Sequence, residues 1–247
     1  MLPLCAFAAA APAPLPLADI RVRDPFIVAD TASHTYFLYR SMANAASGET
    51  SPKRGVEVFT STDLANWSGP TPVFTVPPDF WAHSAVWAPE VHAYRGKYYL
   101  FTTFTAASAP PGENRPAAPP HRSRGTQILV ADSPRGPFTP FANHAHTPAD
   151  WMALDGTLWV EDGVPWMIFC HEWEQINNGT MEFMPLEEDL SAPAGPPRTL
   201  FDAKSAPWVK NLKDAGGKRD GYVTDGPFLH RTQTGKLLMI WSSFGAE

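Results

Sequence analysis

Cysteine is almost absent from this sequence. The 247 residues include two, Cys5 and Cys170, too few for a disulfide framework. Cys170 falls in an apolar run and reads as a buried free thiol rather than a nucleophile. No apolar stretch reaches the ~18 residues that a membrane span needs. Positive charge is scarce: 19 Lys and Arg stand against 25 Asp and Glu, for a net charge of −6. That argues against a nucleic-acid partner, which needs a basic footprint. There is no Gly-x-Ser-x-Gly elbow, and no phosphate or dinucleotide fingerprint. His83, His92, His171 and His230 lack a metal-ligand spacing such as His-Glu-x-x-His. No obligatory metal or other cofactor is expected; a structural calcium is compatible with the chain but not predicted. Charged residues make up 18% against 44% hydrophobic, which excludes a disordered polar chain.

Proline and aromatic residues are plentiful instead. The 27 prolines outnumber the 17 glycines, and nine tryptophans bring the aromatic fraction to 12%. Prolines break long helices and aromatics favour strands, so the expected fold is all-β. The first 19 residues read as an N-terminal tail or signal remnant, small and apolar but without a basic start. Residues 20–247 read as one catalytic domain, and export to the periplasm or exterior is the expected location.

The chain repeats itself. Four hairpin-like segments open with an acid, run through an apolar strand, turn, and return through an aromatic or β-branched strand. Their opening acids are Asp24, Glu90, Asp155 and Asp225, spaced by 66, 65 and 70 residues. A second alternating element follows at Gly55–Trp67 and again at Gln127–Phe138, with a looser copy at Met181–Leu190. A four-stranded sheet repeated around an axis is a β-propeller. Three units and half of a fourth are present, so a C-terminally truncated propeller is expected; an open β-sandwich is the alternative. Thr105–Gly125, rich in proline, reads as an exposed loop on the cleft rim.

In a propeller each innermost strand runs along the central channel. The repeat therefore places the four opening acids at one mouth, and hairpin reversal returns Arg40, Thr103, Glu172 and Ser243 to the same face. Asp-Gly and Asp-Pro are common turn formers, so any one acid alone is more often a turn residue. Their recurrence carries the functional reading. Several carboxylates in one pocket raise one another's pKa values and separate acid from base.

Arg23-Asp-Pro-Phe-Ile27, Trp87-Ala-Pro-Glu-Val-His92 with Gly96-Lys-Tyr-Tyr-Leu-Phe101, Asp155-Gly-Thr-Leu-Trp-Val160 and Asp225-Gly-Pro-Phe-Leu229 together resemble glycoside hydrolase family 43. The resemblance spans roughly residues 20 to 245. It implies a five-bladed β-propeller of about which three and a half blades are present. It also implies inverting hydrolysis of arabinosyl, xylosyl or galactosyl linkages in plant polysaccharides. By position, Asp24 matches the general base and Asp155 the residue that orients and tunes the acid. The family's general acid is a glutamate in Glu-Gly-Pro, whereas this chain has Asp225-Gly-Pro, one methylene shorter. Asp225 thus occupies the acid position, and Glu172, ending a strand that returns to the same mouth, is a substitute donor or sugar ligand. Glu90, Arg40 and His171 are candidate substrate contacts. Trp87 and Trp173 are candidate sugar platforms, since sugar C–H faces pack on aromatic rings; packing between blades is the competing role for each tryptophan. The expected partner is an oligo- or polysaccharide bound by a monomer, with no nucleic acid and no membrane span. Rival readings are a carbohydrate-binding propeller with impaired catalysis, a fructan-active five-bladed enzyme with a nucleophilic aspartate, and a purely structural propeller.

Overall fold

The computed structural model describes residues 13–42, 54–106, 124–214 and 219–245. Alternating apolar and polar residues form strands throughout, paired in four antiparallel sheets. The first holds β2 (Phe26–Asp30), β3 (Thr35–Ser41), β4 (Gly55–Ser61) and β5 (Asn66–Thr75), with β1 (Leu15–Pro16) added outside β5. The second runs β6 (Ala85–Tyr94), β7 (Lys97–Thr105), β8 (Arg124–Ala131) and β9 (Thr139–Pro140). The third runs β10 (Ala153–Glu161), β11 (Val164–His171), β12 (Thr180–Pro185) and β13 (Arg198–Asp202). The fourth pairs β14 (Asp225–Arg231) with β15 (Leu237–Ser242). These are three complete blades and two strands of a fourth in the propeller plan that the repeats predict.

Turn chemistry sets the hairpins. Arg95-Gly96 and Asp162-Gly163 connect the first two strands of blades two and three, with positive φ at both positions of each pair. That is the two-residue turn whose twist matches the flanking strands.

The core lies between the blades, where the apolar faces of neighbouring sheets meet. Phe37, Tyr39, Val58 and Phe74 of the first blade pack with Val91, Leu100, Phe104 and Leu129 of the second. Tyr99, Phe101 and Ile128 of the second meet Met167, Phe169 and Met184 of the third. Leu154, Ile168, Cys170 and Met181 of the third receive Leu229, Met239 and Trp241 of the fourth. Cys170 is a fully buried free thiol, as the sequence predicts; Cys5 lies outside the described residues.

Two boundaries move. β1 pairs with β5 through Leu15↔Trp67, so Leu15 and Pro16 of the expected tail join the first sheet; residues 1–12 lie outside the described residues. Backbone hydrogen bonding to an open sheet edge recruits this short segment. Likewise Thr105 ends β7, while Arg124 and Gly125 open β8. Of the expected loop, 107–123 lie outside the described residues. Among the described residues, no helix is long and apolar enough to cross a membrane.

Candidate active site

The first strand of each blade begins at the same irregularity. Asp24, Ala88, Asp155 and Gly226 all have positive φ, at 51°, 42°, 54° and 54°. The pairing register breaks at Trp87/Glu90, Leu154/Thr157 and Asp225/Phe228. Left-handed backbone favours Gly and tolerates Asp, and such strain concentrates at functional sites. The structurally equivalent positions are therefore 24, 88, 155 and 226. Glu90 lies two residues after its blade's irregularity and Asp225 one before. This corrects the expectation that the four acids are equivalent by repeat: Asp24 and Asp155 are, whereas Glu90 and Asp225 reach the mouth from neighbouring positions.

All four nevertheless line one cleft of ≈ 820 Å³, together with Glu172, Trp87, Arg124, Trp173 and Arg219. Asp24 stands at its edge with a half-exposed carboxylate, 3.4 Å from Arg23 Nε. Partial burial, reinforced by Asp225, raises its pKa against the opposing pull of Arg23. Asp155 is held deeper. Its N–H donates to Thr103 Oγ1 at 2.9 Å, and its Oδ2 accepts from the Gly226 N–H at 3.1 Å. Burial and a side-chain hydrogen bond with Asp225 push its pKa well up. Asp225 thus stands close enough to disfavour ionisation of Asp155, as a neighbouring like charge does.

Glu172 follows β11 and precedes the helical turn α1 (Trp173–Ile176). Its N–H donates to Met152 O at 2.8 Å, which fixes it beside β10. Both carboxylate oxygens meet Arg124 Nη1, and the guanidinium lies over the Trp87 ring at 4.3 Å. Burial moves Glu172 up to about 7 despite Arg124; Glu174 and Asp225 add smaller upward pushes.

The other predicted contacts separate. Trp87, 39% exposed, forms a cleft wall. Trp173 lines the cleft with Arg219 stacked on it at 4.7 Å. Glu90 also lines it, bonded to His92 at 3.1 Å. Arg40 lies outside: its Nε and Nη2 bind Glu57 Oε1 at 2.7 Å, and it borders a smaller cleft beside Asp24. His171 is not a lining residue. It stacks on Trp151 at 4.0 Å and bonds Gln175 at 2.8 Å, because adjacent strand residues point to opposite faces and Glu172 takes the cleft side. Thr103 holds the Asp155 backbone rather than facing the cleft, and Ser242 rather than Ser243 stands there, opposite Asp225. Sequence reading missed Arg124 and Arg219. Arg124 was hidden by its proline-rich surroundings, although it immediately precedes a strand-like run; Arg219 carries no signal. Among the described residues, no group of three His, Cys, Asp or Glu is placed to hold a metal ion.

Known proteins share this fold. An endo-arabinase from Bacteroides thetaiotaomicron VPI-5482 superposes with a TM-score of 0.78 and 39% identity, over 95% of this chain and 74% of that one. An endo-1,4-beta-xylanase from the same organism matches the fold at TM-score 0.62 and 19% identity, over 90% and 63%. The extracellular endo-alpha-(1->5)-L-arabinanase 1 of Bacillus subtilis (strain 168) is 26% identical over 132 residues, 50% of this chain. The match spans 38% of that arabinanase. The sequence profile of glycosyl hydrolases family 43 covers residues 14–247, taking in all three complete blades and the acid-bearing strand of the fourth, and the chain therefore belongs to that family.

Proposed function

We propose that this chain is an inverting glycoside hydrolase of plant polysaccharides, acting on arabinosyl linkages. The observation that carries the reading is the convergence of Asp24, Asp155, Glu172 and Asp225 on one cleft. Inversion needs two carboxyls on opposite sides of the glycosidic bond, ~6.5–9.5 Å apart, with room for water. Asp24, half exposed at the cleft edge, deprotonates that water. Asp155, buried beside Asp225 with its pKa pushed up, orients and tunes the acid side. Trp87 and Trp173 flank the sugar, each backed by an arginine. No metal enters the scheme.

The arabinosyl preference draws on the two arabinanase relatives; xylosyl and galactosyl linkages are the alternatives to be separated. Action outside the cytoplasm is part of the same reading, supported by the extracellular Bacillus relative. The test is turnover on arabinan, xylan and galactan and on the corresponding p-nitrophenyl glycosides, with product anomers followed by NMR. Inverted arabinose products establish the reading. Sugar binding by folded protein without product from any of these substrates overturns it. Asp24→Asn should lower kcat by about 10²–10⁴-fold, the usual worth of a positioned base, with an unchanged melting temperature. Undiminished turnover in that variant removes Asp24 from the base role.

A further inference from the structure

Asp225 occupies the place where the family resemblance puts the general acid, close to Asp155 in the same cleft. It is shorter than glutamate by about one carbon–carbon bond, ~1.5 Å. Three glutamates line the cleft, Glu90, Glu172 and Glu174, and Glu172 has the most buried side chain of the three. Its side chain is 7% exposed, and it is held in place at both ends. The backbone is bonded to Met152, and the carboxylate to Arg124, which lies flat on Trp87. Glu174 Oε2 lies 3.9 Å from the same Arg124 Nη1.

We propose that Glu172 is the proton donor of the reaction and that Arg124, clamped against Trp87, is its positioning residue, with Asp225 confined to holding Asp155. The proposal rests on the hydrolase reading above. In the step, the Glu172 carboxylic acid gives its proton to the glycosidic oxygen as the bond from that oxygen to the anomeric carbon breaks. Water forms the new bond to the anomeric carbon and yields its proton to Asp24. Glu172 ends as carboxylate and Asp24 as carboxylic acid, and exchange with solvent restores both. Arg124 fixes the direction of the carboxyl, and substrate entering beside Trp87 meets the acid already aimed. The charged groups that face Glu172 are Arg124 of β8, Glu174 of α1 and Asp225 of β14. Burial outweighs Arg124 and raises the pKa of Glu172 to about 7.

A leaving-group comparison tests the assignment. A donor is needed for a sugar leaving group and dispensable for 2,4-dinitrophenolate. Glu172→Gln should lower kcat/KM on arabinan by about 10²–10⁴-fold and on 2,4-dinitrophenyl α-L-arabinofuranoside by less than about tenfold. Asp225→Asn should lower both substrates alike. The reverse pattern, with Asp225→Asn sparing only the activated substrate, overturns the proposal. Absence of turnover by the wild-type protein on every substrate would instead refute the hydrolase reading itself.

Two further measurements cover variants that fold poorly. In carboxyl-labelled wild-type protein, Glu172 should titrate near 7 by NMR, and titration at an ordinary glutamate value overturns the proposal without any activity assay. Arg124→Met should reduce kcat more than KM and move the alkaline limb of the pH–rate profile upward, because removing the cation favours the protonated acid. Arg124→Lys should restore part of the rate. A fall in activity with an unmoved limb would reduce Arg124 to a structural role.

Discussion

Three carboxyls of the cleft have their pKa values pushed up, and burial is the first cause in each. A raised carboxyl has a defined effect on stability. Between the ordinary glutamate value of 4.5 and about 7, the folded protein keeps the Glu172 proton that the unfolded chain releases. Stability from this group is therefore complete below pH 4.5 and is lost as pH rises through about 7. Glu172→Gln cannot titrate, so its stability carries no contribution from this proton anywhere in that window. The melting temperature of Glu172→Gln minus that of wild type should thus increase from pH 4.5 to 7. Calorimetric scans across the window check this, and a flat difference would show that Glu172 titrates normally in the folded state. At this scale the sequence named the acids but not their partners. Asp24, Asp155, Asp225 and Glu172 were visible because they recur or sit in short motifs. Arg124 was not, because nothing local marks a residue whose importance is a contact 48 positions away with Glu172.

At the scale of the strand, the irregularity at the start of each blade decides which side chain faces the channel. Pro25, Pro89 and Pro227 follow the positive-φ residue in three blades, and Gly156 does so in the third. The exception has a packing cause. A Cβ on Gly156 would lie 2.5 Å from Thr126 Cγ2 and 2.9 Å from Met167 Sδ. Gly156→Ala should therefore destabilise by about 1–3 kcal/mol, as overpacking does, and should lower kcat by displacing Asp155 next to it. Urea unfolding with parallel kinetics measures both, and an unchanged midpoint would show that the third blade yields at this point. The repeat was legible because alternating strands and Gly turns are local signals. The equivalence of 24, 88, 155 and 226 was not, since Ala88 carries no acid and its backbone angle is set by the pairing of β6 with β7.

Across the whole molecule, the blades cover one another up to the last pair of strands. Phe228 on β14 stands opposite Ile240 on β15. These two, with Leu238, are 43%, 59% and 37% exposed. β15 is also an edge of its sheet, and an apolar edge is a template for pairing with another chain. Ile240→Lys should therefore lower concentration-dependent association, measured by light scattering, while leaving the melting temperature close to wild type. Equal scattering by the two proteins would show that this face drives no association.

The sequence by itself determined the strand content, the blade repeat and the identity of the acids, because alternation, turn residues and short motifs act over a few neighbouring positions. It placed His171 beside those acids on the same grounds, and there it failed, whereas Arg40 borders the smaller neighbouring cleft with Asp24. Which carboxyl is buried, which has its pKa pushed up and which is gripped by an arginine depend on blades brought together from distant parts of the chain. A pKa is set by everything that surrounds a group, and only the tertiary structure gathers those surroundings.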